Sequence, residues 1–173
     1  TRMTISTEGP KGFFGELYLR STRPFLPEHV TDAEGAYLAA RLDEGGATGL
    51  VLDLGCGHGR HLSRVAPKLP GRVMGIDFDA LSLGEAKAHA PVTRGDFFRL
   101  PFRAGAFGAA YCWYNTLGTF ADEAVPVVLA ELARCVRPGG WLIIHGSSPN
   151  PPLAQPEASA EPQIAVAEVG EKR

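Results

Sequence analysis

Cysteine is scarce in this chain: among 173 residues there are three, Cys56, Cys112 and Cys135. An odd, widely spaced set is no disulfide framework, and without a CxxC pair there is no zinc pattern. Reduced thiols in a cytoplasmic protein are the expectation. An excess of one charge is also missing. Seventeen Lys and Arg face nineteen Asp and Glu, a net charge of −2. With no dense basic run, a surface that tracks phosphates is not expected, and neither is a nucleic-acid partner. No apolar run approaches the roughly 20 residues that span a bilayer. The polar stretch from Thr1 to Lys11 lacks the apolar core of a secretory signal. What remains is the composition of one soluble domain, long enough to bury a core without metal or disulfides.

Apolar runs and their punctuation divide the chain. Phe13-Phe14-Gly15-Glu16-Leu17-Tyr18-Leu19 is an aromatic patch, followed by Pro24 and Pro27. Thr31 with Glu34 reads as a capping box opening a helix over Asp32 to Leu42. Strands are predicted at Gly49 to Leu54, Arg72 to Asp77, Val92 to Asp96, Phe107 to Trp113 and Trp141 to His145. Helices are predicted at His61 to Lys68, Ala80 to Ala88 and Glu123 to Cys135. Alternation of this kind predicts an α/β fold, a doubly wound and mostly parallel sheet with helices on both faces. Ligands of such sheets bind outside the carboxyl ends of the strands, where Asp53, Asp77 and Asp96 fall.

The segment Asp53-Leu54-Gly55-Cys56-Gly57-His58-Gly59 carries the strongest chemical signal. Glycines at 55, 57 and 59 allow tight turns and close approach of backbone to a ligand. The N-terminus of the following helix would favour a carboxylate. A dinucleotide fingerprint would place its third glycine where this chain has Arg60. Asp77 closes the next strand, where a carboxylate can accept both hydroxyls of a ribose and would repel a 2′-phosphate. Asp96 can accept from an exocyclic amine, and Phe78 can cover a base.

With Gly75-Ile76-Asp77, Gly95-Asp96-Phe97, Leu100-Pro101-Phe102 and Leu132 to Gly140, the glycine run resembles the class I, Rossmann-like S-adenosylmethionine-dependent methyltransferases over residues 47 to 146. The resemblance implies S-adenosylmethionine as cofactor, with S-adenosylhomocysteine as product. The loop from Asp53 through Gly55, Cys56, Gly57, His58 and Gly59 would face its methionine part. Asp77 would face the ribose, with Asp96 and Phe97 at the adenine. Tyr111, Cys112 and Trp113 would lie beneath the sulfonium. Tyr114 and Asn115, after the fourth strand, are the candidate acceptor-facing residues, and a small-molecule acceptor is expected. His58, His61 and His145 read as loop or cap residues rather than bases. Residues before the first strand, Tyr18 among them, would form a lid.

The resemblance divides the chain into a lid and helix (1–46), a core (47–146) and a Pro-rich tail (147–173). The family usually continues past the fifth strand with a helix and two strands, whereas 28 residues follow His145. The fifth strand is therefore expected as an exposed edge, covered by a second copy in a homodimer or by Ile164 to Val169 folding back. Asn150-Pro151-Pro152, similar to a motif of amine-methylating enzymes, comes one strand too late and reads as loop. Two other functions remain open: a module that binds the cofactor without turnover, and a nucleotide-dependent oxidoreductase, which the glycine spacing disfavours.

Overall fold

Val51, Leu52, Asp53 and Leu54 form strand β1 (Val51–Leu54), buried along its whole length. A strand without an exposed face needs cover on both sides, which helices flanking a parallel sheet provide. The computed structural model, which describes residues 25–44, 47–146 and 164–168, has that architecture. Strands β2 (Val73–Asp77), β3 (Val92–Arg94), β4 (Phe107–Cys112), β5 (Val136–His145) and β6 (Ile164–Glu168) complete the sheet. Its order is β3-β2-β1-β4-β5-β6. Every pairing is parallel except β5 with β6. The helices are α1 (Glu28–Glu44), α2 (Leu62–Val65), α3 (Ala80–Ala86) and α4 (Val125–Cys135). The chain order reverses between β1 and β4, which opens a crevice at their carboxyl ends.

Alternation along β1 and β4 sorts the core into two layers. Val51, Ala109, Tyr111 and Trp113 pack with Leu38 and Leu42 of α1, Leu62 and Val65 of α2, and Leu83 of α3. Leu52, Leu54, Phe107, Ala110 and Cys112 pack with Val128 and Leu132 of α4. Asp53 points to the first layer, opposite Tyr111 in the β1–β4 register.

Three elements differ from the sequence reading. Helix α1 begins at Glu28, directly after Pro27, whose carbonyl accepts from Val30 and Thr31. Proline tolerates that boundary, so Thr31 and Glu34 lie inside the helix and form no capping box. Helix α2 is a single α-turn of four residues, after which the chain runs in turns to Pro70. The third is β5, which begins at Val136 rather than Trp141; of the two covers expected for its edge, the folded-back tail is the one found. Trp141 through His145 pair antiparallel with Glu168 back to Ile164. The tail therefore satisfies the outer amides of β5, and the reason for a dimer through that strand is removed. Among the described residues no helix is long and apolar enough to cross a membrane.

Deleting residues 163–173 uncovers the run Trp141-Leu142-Ile143-Ile144 as an unpaired edge. Light scattering should then give a larger mean mass than for the full chain. An unchanged mass would mean that β5 needs no cover.

Candidate active site

The loop after β1 is fixed by its own amides. Gly55 N and Cys56 N donate to the Ile76 carbonyl at 2.9 and 3.1 Å, and Gly59 N donates to the Cys56 carbonyl at 2.9 Å. Gly57 N donates to Asp77 Oδ2 at 2.8 Å. The three glycines serve different ends. A Cβ on Gly55 would collide with Thr116, and one on Gly59 with Ala86 of α3, whereas one on Gly57 would meet nothing within 4 Å. Gly57 (φ +52°) presents bare backbone to an open cleft.

The cleft lies over the carboxyl ends of β1, β2 and β4. Gly55, Cys56, Gly57, His58, Asp77, Phe78, Phe97, Trp113 and Tyr114 line it, as sequence reasoning expected of a ligand site. Arg60, His61, Thr116 and Thr119 line it as well. Asp53, Gly59, Asp96, Tyr111, Cys112 and Asn115 lie outside its lining. Tyr18 and the rest of the expected lid fall outside the described residues, as do Asn150-Pro151-Pro152.

The three strand-end acids have separate environments. Asp77 is buried, and its two oxygens accept from Gly57 N and, at 2.9 Å, from Asp79 N. Burial holds its pKa above the usual carboxylate value, against the pull of those amides. Asp96 is exposed, and its Oδ1 accepts from Phe98 N at 2.9 Å. Asp53 lies beneath the loop and accepts from the Tyr111 hydroxyl at 2.9 Å. Full burial pushes its pKa up to about 8; Tyr111 opposes the shift and Asp77 adds to it. At neutral pH Asp53 is mostly the neutral acid. Burial also raises the Cys56 thiol and takes Cys112 to about 12, so neither is a thiolate nucleophile.

One cluster escaped the sequence reading. Glu34 of α1 meets Arg60 Nη1 at 2.6 Å and His61 Nε2 at 3.1 Å. Arg60 Nη1 also donates to Thr31 Oγ1 at 3.0 Å, and the guanidinium lies 4.6 Å over the Tyr114 ring. Burial alone would raise the Glu34 pKa, but His61 and then Arg60 bring it down to about 2. Burial lowers His61 despite the contact with Glu34. Ionised Glu34 therefore accepts from a neutral His61 that carries its proton on Nε2. His61 occupies the N-cap position of α2, as the sequence allowed, but its side chain makes no cap bond and meets Glu34 instead. The local signal was the Thr31–Glu34 spacing, which pointed to a cap; the partners of Glu34 lie 26 and 27 positions along the chain.

After β4, Trp113 is buried among rings: His145 stacks on it at 4.8 Å, with Tyr37 at 6.0 Å and His61 at 6.1 Å. Tyr114 (φ +57°) and Asn115 (φ +60°) are both left-handed, a costly conformation for side chains other than glycine that clusters at functional sites. Tyr114 is exposed at the cleft, while the Asn115 side chain lies against Gly118.

The methyltransferase domain family matches residues 51–140, more than half of the chain. The chain belongs to that family. Its fold is that of the class I, S-adenosylmethionine-dependent enzymes. Over 104 residues it is 27% identical to 24-methylenesterol C-methyltransferase 2 of Oryza sativa subsp. japonica, covering 55% of this chain and 28% of that protein. Among solved structures, the sugar N-methyltransferase KedS8 of Streptoalloteichus sp. ATCC 53650 superposes with a TM-score of 0.61 at 25% identity, covering 69% of this chain and 50% of that one. CalS10, an amino pentose methyltransferase of Micromonospora echinaspora, solved with S-adenosylmethionine bound, shares the fold at a TM-score of 0.64 and 23% identity, covering 78% and 58%. The matched segments span 25% to 41% of the length of the curated relatives.

The raised pKa of Asp53 has a consequence for stability. Unfolded Asp53 loses its proton near 3.8, whereas the folded protein keeps it to about 8. Between those values the folded state holds the extra proton, so stability falls as pH rises through the window. Asp53→Asn removes the titration and keeps the neutral shape. Urea midpoints measured from pH 4 to 8 should decline less steeply for the variant. Parallel profiles would place the ionised form of Asp53 in the fold at neutral pH.

Proposed function

We propose that this chain binds S-adenosylmethionine in the cleft over β1, β2 and β4 and directs methyl transfer to a small-molecule acceptor. The observation that carries the reading is the pairing of the Gly57 amide with the Asp77 carboxylate at the bottom of that cleft. It seats the bare backbone of the loop beside a buried acceptor of hydroxyl protons. Each Asp77 oxygen takes one amide bond and keeps a second lone pair for a ribose hydroxyl. Phe78 and Phe97, edge to face at 5.9 Å, offer apolar surface to the adenine, and Asp96 stands beyond them for its amine. Cys56, Gly57 and His58 line the methionine end. Trp113, held among Tyr37, His61 and His145, sits beneath the sulfonium.

When bound, S-adenosylmethionine supplies a methyl group already activated by its positive sulfur. The protein then needs to hold donor and acceptor in line and keep water out. Tyr114, exposed at the cleft mouth in a constrained turn, is the acceptor-facing residue, and Asn115 holds that turn through its amide bond to the His145 carbonyl at 3.3 Å. A base is required only for an acceptor that must first lose a proton. The family, together with the sterol and sugar enzymes among the relatives, supports a small molecule as acceptor. Incubation with labelled S-adenosylmethionine and panels of sterols and amino sugars tests turnover. Binding of S-adenosylhomocysteine with no methylated product from any acceptor would favour a module that only binds.

Titration calorimetry with S-adenosylhomocysteine tests the binding site. Asp77→Ala should weaken binding by about 1.5–3 kcal/mol for each lost bond to the carboxylate. Affinity for the wild-type protein should also fall as pH is lowered through the raised pKa of Asp77, because the protonated acid is the poorer acceptor. Unchanged affinity in both experiments would remove Asp77 from the site.

Gly57→Val puts a branched side chain where the loop now presents bare backbone. At φ +52° a β-branched residue also strains the turn, so the variant should melt earlier by circular dichroism and, below that temperature, bind no S-adenosylhomocysteine. Normal binding by a folded Gly57→Val protein would reduce the loop to a turn.

A further inference from the structure

Among the residues that line the cleft, His61 has one ring nitrogen held and the other free. Nε2 donates to Glu34 Oε2 at 3.1 Å, and Arg60 holds that carboxylate at 2.6 Å. A carboxylate on one nitrogen fixes the tautomer and leaves the other as a bare acceptor. That nitrogen, Nδ1, takes no amide of α2 and no other hydrogen bond among the described residues. The enclosed polar side-chain atoms without a partner there are Arg60 Nη2, Trp113 Nε1 and His145 Nδ1. His61 Nδ1 is not enclosed, and its ring lines the cleft. The ring stands edge-on to Trp113 at 6.1 Å, the residue set beneath the sulfonium in the reading above. The charged and titratable groups that face it are Glu34 on α1, Arg60 in the loop and His145 at the end of β5. Burial lowers the His61 pKa against the pull of Glu34, and Arg60 and His145 add to the fall. The ring is therefore neutral and able to take a proton.

Resting on the S-adenosylmethionine reading, we propose that His61 is the general base of the transfer: Nδ1 takes the proton of a hydroxyl or amine acceptor, and Glu34 positions the ring through Nε2. The acceptor's lone pair forms the bond to the methyl carbon as the carbon–sulfur bond breaks, its electron pair remaining on sulfur. The acceptor's proton passes to Nδ1 and then to water. One positive charge thus moves from sulfur to an imidazole whose other nitrogen already faces a carboxylate, which stabilises the imidazolium. A ring charged beforehand would repel the sulfonium. The substrate class follows: the reacting oxygen or nitrogen carries a proton, unlike an alkene carbon or a thioether. The sequence gave no sign of this role, because Glu34 lies 27 positions from His61.

Two ligands on the full chain test this without an acceptor. Sinefungin has a carbon bearing an amine in place of the sulfur and its methyl group, which puts N–H donors beside the base. S-adenosylhomocysteine has no such donor. In calorimetry, His61→Phe should cut the affinity for sinefungin relative to S-adenosylhomocysteine by about ten- to a hundredfold. In the wild type the same preference should fade as pH falls through the lowered pKa of His61, since an imidazolium cannot accept. Titration of Asp77 acts on both ligands alike and cancels in the ratio. Glu34→Gln removes the charge that raises the His61 pKa, so the fading should move to lower pH; an unmoved midpoint would overturn the pairing of Glu34 with the base. If His61→Phe does not fold, nitrogen NMR of the wild type decides. Sinefungin, and not S-adenosylhomocysteine, should then shift the Nδ1 signal of His61 toward that of a hydrogen-bonded nitrogen, and no shift would overturn the proposal. Equal losses for both ligands, or a preference indifferent to the variant and to pH, would overturn it as well. A wild-type protein that binds neither ligand overturns the function proposed above, and this inference with it.

Discussion

The cleft depends on the ion pair between Glu34 and Arg60. A guanidinium this far from solvent would cost several kcal/mol if left without a counter-charge, and Glu34 removes that cost from 26 positions away. The pair adds little net stability, because both ions lose their water. Its value is positional. Helix α1 is held to the loop that follows β1, and through the Arg60–Tyr114 contact also to the turn that follows β4. Three segments distant in sequence meet at one charge pair, with His61 as a second donor to the same carboxylate. Burial, helped by the Arg60 charge, keeps His61 neutral beside that carboxylate.

Asp53, Asp77 and Asp96 hold equivalent places in the sequence, each at or just past the end of a strand, yet they do different things. Pleating decides the first. Asp53 shares its layer with Tyr111 across the β1–β4 register, and the layer above closes over both. Asp77 ends β2 at the loop's own height, so an amide of the loop reaches it. Asp96 lies past the end of β3, the edge strand, and remains in solvent as the cap of a local turn. The same residue type at the same kind of place is a buried acid, a carboxylate that fastens the glycine loop and a surface turn.

That divergence shows what was legible. The strands could be read because a short apolar run closed by glycine or an acid has few other solutions, and their alternation with helices predicts a parallel sheet. Most of the cleft lining came from the glycine loop and the β4 end, since contiguous sequence supplies both. Glu34, Arg60 and His61 were missed for the opposite reason. Their meaning lies in contacts between α1 and the loop, while the local pattern of Thr31 with Glu34 had a competing explanation as a cap. Helix α2 was overextended because its apolar spacing continues after the hydrogen bonds have become turns. The cover on β5 was one of two alternatives, and nothing short of the pairing itself separates a tail from a second copy.

Arg60 also explains why this loop departs from the dinucleotide pattern. A diphosphate spreads charge over many oxygens and needs free amides at close range, with a glycine that lets a long helix approach. Here the amide of Gly57 is committed to Asp77, those of Gly55 and Cys56 to Ile76, and the helix is one turn long. The place of the third glycine holds a side chain that reaches back over the cleft. The exchange of a glycine for an arginine therefore removes the close helix approach and the free amides that a diphosphate needs.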